Sequence, residues 1–212
     1  VTKKIEVEKV LSFLKSTYPE AHCELNFRNP FELLCATILS AQCTDARVNS
    51  VTPALFKSYP DFLSLSLAKQ KDVEKIVRST GFYKNKAHNL IKMAQKVISH
   101  HNGELPTDLE KLVQLPGVGR KTANVVCGNA FHLATGVVVD THVKRLVQRW
   151  GWTKEVSPEK IELKLIRWVP KEDWIMFSHW AIWHGRRLCK ARNPACHQCG
   201  LEKLCPKARS KV

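Results

Sequence analysis

At 212 residues, 44% hydrophobic and 25% charged, the chain has the composition of a soluble globular protein, long enough for one large domain or two small ones. Lys and Arg number 34 against 19 Asp and Glu, a formal net charge of +15 that points to a polyanionic partner. No apolar run reaches the length of a membrane span and the opening VTKKIEVEKV holds no signal-like apolar stretch, which argues for an intracellular protein.

Val7, Val10, Leu11 and Leu14 recur at helical spacing and predict a first helix ending before Tyr18-Pro19. Asn29-Pro30 opens FELLCATILSA, apolar on nearly every face, which predicts a central buried helix. Shorter helical patterns follow over 44–58, 61–67 and 70–79, each bounded by Pro, Ser or Gly. An amphipathic helix over 85–100 stops at Asn102-Gly103, and helical patterning resumes over 107–114, 120–132, 141–149, 158–168 and 171–185. Val137-Val138-Val139 is too short and isolated to build a sheet and reads as a buried connector. The fold class is all-α, without internal repeat or low-complexity segment. Cys23, Cys35, Cys43 and Cys127 lie among apolar neighbours without a pairing pattern and read as reduced core residues.

The remaining cysteines end the chain with the spacing Cys189-x6-Cys196-x2-Cys199-x5-Cys205. A Cys-x2-Cys pair brackets one metal or cluster edge while the longer arms wrap around it. Four thiolates suit structural zinc or an iron–sulfur cluster. Zinc folds usually carry two Cys-x2-Cys knuckles, so the single knuckle here favours one [4Fe–4S] cluster. The same region is basic: Arg186, Arg187, Lys190, Arg192, Lys203, Lys207, Arg209 and Lys211 face one acid, Glu202.

Residues 115–123, LPGVGRKTA, lie between two helical patterns. Pro116 ends the first, and Gly117 and Gly119 permit a tight turn with positive φ. Such a turn aims backbone N–H groups and the dipole of the next helix at an anion. This is the logic of a helix–hairpin–helix element that grips a nucleic-acid backbone without reading bases. An ordinary interhelical turn is the plainer alternative, and the basic composition weighs against it. Leu115, Gly117, Val118, Gly119 and Arg120 are the candidate phosphate contacts. Lys121, in the first turn of the following helix, reads either as a solvated or phosphate-binding charge or as an amine nucleophile, because the helix dipole and Arg120 act against a positive charge there. Asp140, in Val139-Asp140-Thr141-His142, reads as a helix cap and also as a carboxylate for deprotonation or for stabilising a cationic sugar.

The runs LPGVGRKTANVV and VDTHV and the cysteine ending, with NPFELL, ILSAQCTD and HNGELP, together resemble endonuclease III, the bifunctional DNA glycosylases of the helix–hairpin–helix superfamily. The resemblance covers nearly the whole chain. It implies removal of oxidised pyrimidines such as thymine glycol from duplex DNA, then strand nicking by β-elimination. It also implies that Lys121 is the Schiff-base lysine, Asp140 the essential aspartate, and Cys189, Cys196, Cys199 and Cys205 the [4Fe–4S] ligands. Gln42 matches the glutamine that enters the gap left by the flipped nucleotide, Asp45 lies in the same DNA-facing segment, and Lys190 and Arg192 match a DNA-contacting loop. The implied architecture is two helical lobes with a DNA-binding cleft between them: a helical-barrel domain over 22–133, and an iron–sulfur domain of 1–21 plus 134–212. The implied partner is duplex DNA with damaged pyrimidines or abasic sites, bound by a monomer in the cytoplasm or nucleoid.

Phe82 departs from the family pattern, standing where a leucine wedge is common. It reads either as an intercalating wedge or as an anchor packed on the core. Val113 replaces an acidic residue that some members carry. Two rival functions remain at this level: a monofunctional mismatch glycosylase, against which Lys121 argues, and a non-catalytic DNA-binding module with a metal staple.

Overall fold

The computed structural model describes residues 5–209. Lys211 of the basic ending lies outside the described residues. In chain order the helices are α1 (Val7–Thr17), α2 (Pro30–Leu39), α3 (Asp45–Ser58), α4 (Phe62–Ser66), α5 (Gln70–Val77), α6 (Tyr83–His101), α7 (Leu109–Val113), α8 (Arg120–Ala130), α9 (Thr141–Arg149), α10 (Pro158–Trp168), α11 (Trp174–Arg187) and α12 (Pro206–Arg209). Among the described residues no strand forms, in line with the all-α expectation. The Val137–Val139 run is a buried connector. The single helix expected over 171–185 is instead a 3-10 turn, Lys171–Asp173, followed by α11.

Contacts divide the chain into two compact units, residues 23–135 and residues 1–22 with 136–212. The first is built around α2, whose residues from Phe31 to Leu39 are all buried. The Asn29 side chain accepts from Glu32 N at 2.9 Å, and Pro30 supplies the preset φ of the first turn. Glu32 is a carboxylate in this core, and Arg28 satisfies it with Nε at 2.9 Å, Nη2 at 2.6 Å and its backbone N–H at 2.8 Å. The long α6 packs on α4 and α5, while α8 packs on α2 and α7. Cys35 and Cys127 are buried, and Cys23 and Cys43 pack half-buried against the same core.

In the other unit α11 packs against α1 and α9. The core gathers Leu14, Leu146, Trp150 and Phe177. Two hydrogen bonds to the Ile5 backbone tie it into this core: Ile5 N donates to Trp150 O at 3.0 Å, and the Trp152 indole Nε1 donates to Ile5 O at 2.8 Å.

Candidate nucleic-acid interface and catalytic residues

The turn between α7 and α8 is held from within. Leu115 N donates to Leu112 O and Val118 N to Leu115 O, both at 3.0 Å. The side chains of Leu115 and Val118 are buried, so what the hairpin turns outward at these positions is backbone. Gly117 has φ +77°, and a Cβ there would sit 3.0 Å from Asn89 Cβ. Gly119 is different. Its φ is −87°, an ordinary extended value, and no atom lies within 4 Å of where a Cβ would stand. The expectation of positive φ at both glycines is therefore corrected: the fold requires glycine at Gly117 only. Gly119 caps α8 without a side-chain hydrogen bond, so the start of the helix is not closed by a capping side chain of its own. Arg120 and Lys121 follow in that turn, both exposed.

Gln42 and Phe82 share an unusual backbone. Both are non-glycine residues in the left-handed region, with φ 52° and 47°. Gln42 is exposed in the turn between α2 and α3, where Cys43 N donates to Ser40 O at 3.1 Å. Phe82 caps α6 and is 63% exposed, so it is not packed on the core as an anchor would be. A bulky aromatic held out to solvent at positive φ costs about 1–3 kcal/mol of backbone strain. Asp45 is the first residue of α3, behind the Thr44 cap.

In the other unit, Asp140 caps α9. Its Oδ1 accepts from His142 N and Val143 N, each at 2.8 Å, which fixes the carboxylate at the helix start. Beside it, burial holds His142 below the ordinary histidine range, with the Asp140 charge opposing and Arg145 adding to the effect. Arg145 Nη2 lies 3.1 Å from His142 Nδ1.

Cys189, Cys196, Cys199 and Cys205 are half-buried and line one pocket with Trp150, His184, Leu188 and Leu201. Among the described residues, no group of three or more His, Cys, Asp or Glu is gathered tightly enough for a single metal ion. Tetrahedral zinc needs sulfurs about 3.8 Å apart, given Zn–S of about 2.3 Å. Four cysteines lining one pocket can each bind one iron of a cluster. Burial pushes the Cys199 thiol up to about 11, and the other three cysteines push the same way against a backbone hydrogen bond from Leu201. Lys190 and Arg192 are exposed on the loop between the first two cysteines.

Sequence reasoning missed three basic residues. Arg149, at the end of α9, donates to the carbonyls of Cys189, Lys190 and Ala191 at 3.2, 2.8 and 2.8 Å and to Cys189 Sγ at 3.1 Å. Arg145, one turn earlier, reaches Gly185 O and Cys189 O at 2.9 and 3.1 Å. Their i, i+4 spacing was the available signal. The third, Lys86, is buried in α6; it falls on the apolar stripe that continues through Leu90, Ala94 and Val97, which is how the sequence could have flagged it.

A family model described as HhH-GPD superfamily base excision DNA repair protein matches residues 35–171. A second, described as the iron-sulfur binding domain of endonuclease III, matches residues 189–205. Endonuclease III of Synechocystis sp. (strain ATCC 27184 / PCC 6803 / Kazusa) is 49% identical over 209 residues, covering 99% of this chain and 95% of that protein. A solved non-covalent endonuclease III–DNA complex superposes with a TM-score of 0.93 at 43% identity, covering 97% of this chain and 96% of the other. A trapped endonuclease III–DNA covalent intermediate, the estranged-adenine complex, gives 0.92 at 42% identity, covering 98% and 99%.

Proposed function

Because the chain belongs to the HhH-GPD superfamily of base excision DNA repair proteins, and within it to the endonuclease III family, we propose the following division of labour among its residues. The enzyme is a DNA N-glycosylase and abasic-site lyase that takes oxidised pyrimidines such as thymine glycol from duplex DNA, and it carries one [4Fe–4S] cluster. Residues 23–135 form its helical-barrel domain and the rest its iron–sulfur domain. The hairpin amides of Gly117 to Arg120 hold a phosphate, while Lys190 and Arg192 add charge along the backbone. Damaged pyrimidines stack and pair poorly, which lowers the cost of extruding them. Phe82 wedges the stack and Gln42 fills the vacated space. Asp45 belongs to the same DNA-facing segment.

Lys121 Nζ attacks C1′ of the extruded nucleotide as the base departs, and Asp140 assists by taking up a proton and stabilising positive charge on the sugar. The iminium that forms between Lys121 and the opened sugar acidifies the 2′ proton, and its loss expels the 3′ phosphate. Cys189, Cys196, Cys199 and Cys205 hold the cluster, whose iron offsets their negative charge and cross-links the basic loop. The chemistry needs no electron transfer. With chromosomal DNA as substrate, the enzyme works at the nucleoid. Among the described residues no helix is long and apolar enough to cross a membrane.

The observation that carries this reading is an exposed lysine, Lys121, in the first turn of a helix that follows a backbone-out hairpin. The test is borohydride trapping on duplex DNA with one thymine glycol, comparing wild type with Lys121→Gln. A covalent adduct in wild type that vanishes in the variant is expected. Base release without any adduct would indicate monofunctional chemistry, and an adduct surviving in Lys121→Gln would assign the amine elsewhere.

A further inference from the structure

Lys86 is 5% exposed, yet no carboxylate among the described residues partners it. Its Nζ donates to Leu39 O at 2.8 Å and to Thr80 O at 2.7 Å. Both acceptors end helical segments: Leu39 is the last residue of α2, and Thr80 closes the 3-10 turn Arg78–Thr80 that extends α5. Carbonyls at such ends lack intrahelical partners and carry the negative pole of the helix, so a buried ammonium there is both hydrogen-bonded and electrostatically favoured. Burial draws the amine below the ordinary lysine range, and the nearby Cys43 thiol opposes that pull.

The two anchored carbonyls precede the two strained side chains. Gln42 (φ 52°) lies three residues beyond Leu39, and Phe82 (φ 47°) two beyond Thr80. Lys86 also reaches the second segment through its main chain, donating from its own N–H to Phe82 O at 3.0 Å. Left-handed conformations at non-glycine residues persist only where surrounding structure over-determines them. One buried amine, tied to a helix-end carbonyl two or three residues before each tip, braces both at once, alongside the Cys43 N to Ser40 O bond in the first turn. We propose that Lys86 is a positioning residue that fixes Gln42 and Phe82 in mutual register, so that wedging of the stack and filling of the gap occur together when a damaged nucleotide is extruded. The inference rests on the assignment of Gln42 and Phe82 as the side chains that enter the duplex.

A structural lysine would affect every activity equally; a positioning lysine would affect the step that needs the duplex opened. The test compares two rates in each variant: thymine glycol release from duplex DNA, and nicking of a preformed abasic site in a single strand, which needs neither wedge nor gap filler. Lys86→Met, which keeps the length of the chain and removes the donors, should slow the duplex reaction by about 10–100-fold through misplacement of the two tips. Single-strand nicking should fall by less than about threefold, as expected for a site not coupled to the chemistry. In the Gln42→Ala/Phe82→Ala background, adding Lys86→Met should cost the duplex reaction nothing further beyond that same factor. Equal losses on both substrates, or an additive loss in the triple variant, would overturn the proposal. If Gln42→Ala/Phe82→Ala shows no duplex-selective loss, the underlying assignment fails; if it shows one and Lys86→Met does not, the Lys86 inference fails alone. Should Lys86→Met not accumulate as folded protein, Lys86→Gln is read by the same ratio.

Discussion

Asp140 is asked to do two things, and the structure shows how to separate them. Replacing it with Ala removes both 2.8 Å hydrogen bonds from the start of α9. Loss of such a cap costs about 1–2 kcal/mol, which for a chain of this size lowers Tm by roughly 2–8 °C. Asp140→Asn keeps an oxygen in the Oδ1 position and gives up only the charge, a loss of about 0.3–1 kcal/mol at a helix N-terminus. All six tryptophans lie at or beyond residue 150, in the unit that contains α9, so intrinsic fluorescence follows the melting of that unit alone. The two variants should therefore differ in thermal stability but lose base release alike, by about 10²–10⁴-fold if the carboxylate handles the proton. A stable Asp140→Asn enzyme with near wild-type glycosylase activity would refute the catalytic assignment and leave the residue a cap. Activity lost only in proportion to unfolding would do the same.

Three further outcomes are expected. Gly119→Ala meets no protein atom and should leave Tm unchanged or slightly raised while weakening DNA binding, whereas Gly117→Ala should lower Tm as well, by an amount set by about 1–2 kcal/mol of left-handed strain; equal melting losses would put the need for Gly119 inside the fold. Burial, with a smaller push from His22, holds His179 at about 4 against 6.5 unperturbed, so as pH falls from 6.5 toward 4 the unfolded chain takes up a proton that the folded one refuses. This group then removes up to about 1.4 kcal/mol of stability per pH unit across that window and nothing above it, and His179→Gln should flatten the slope in fluorescence-monitored urea melts at graded pH; an unchanged slope would disprove it. Arg149→Met frees the loop carbonyls it binds and should destabilise that loop by about 1–3 kcal/mol, seen as faster bleaching of the visible iron–sulfur absorption in the presence of chelator; an unaltered bleaching rate would deny Arg149 its holding role.

The helices that could be read to the residue are those with chemical punctuation at both ends. α9 follows its Asp140 cap, and α10 follows Ser157-Pro158. Where periodicity runs on without punctuation, as over 171–187, the change from a 3-10 turn to α-helix left no mark in the pattern. The hairpin was legible because glycine, proline and a basic helix start coincide in nine residues. Its details were not: glycine at Gly119 is compatible with any backbone, and only the structure shows that the fold does not demand it. Lys86, Arg145 and Arg149 escaped for a different reason. Most of their partners are carbonyl oxygens, which every residue carries, so side-chain identities elsewhere in the chain announce little of the match.

The interruption of one unit by the other bears on how the protein is made. Trp152 and its acceptor Ile5 stand 147 positions apart, a separation that a ribosome working at roughly 5–20 residues per second traverses in roughly 7–30 s. During that interval residues 23–135 emerge as an unbroken segment with their own core, while α1 waits with its apolar face unmatched until α11 arrives. The cysteines come later still. Biogenesis thus has an order written into the topology: the hairpin between α7 and α8 can mature on the nascent chain before α11 and the four cysteines that follow it have been made.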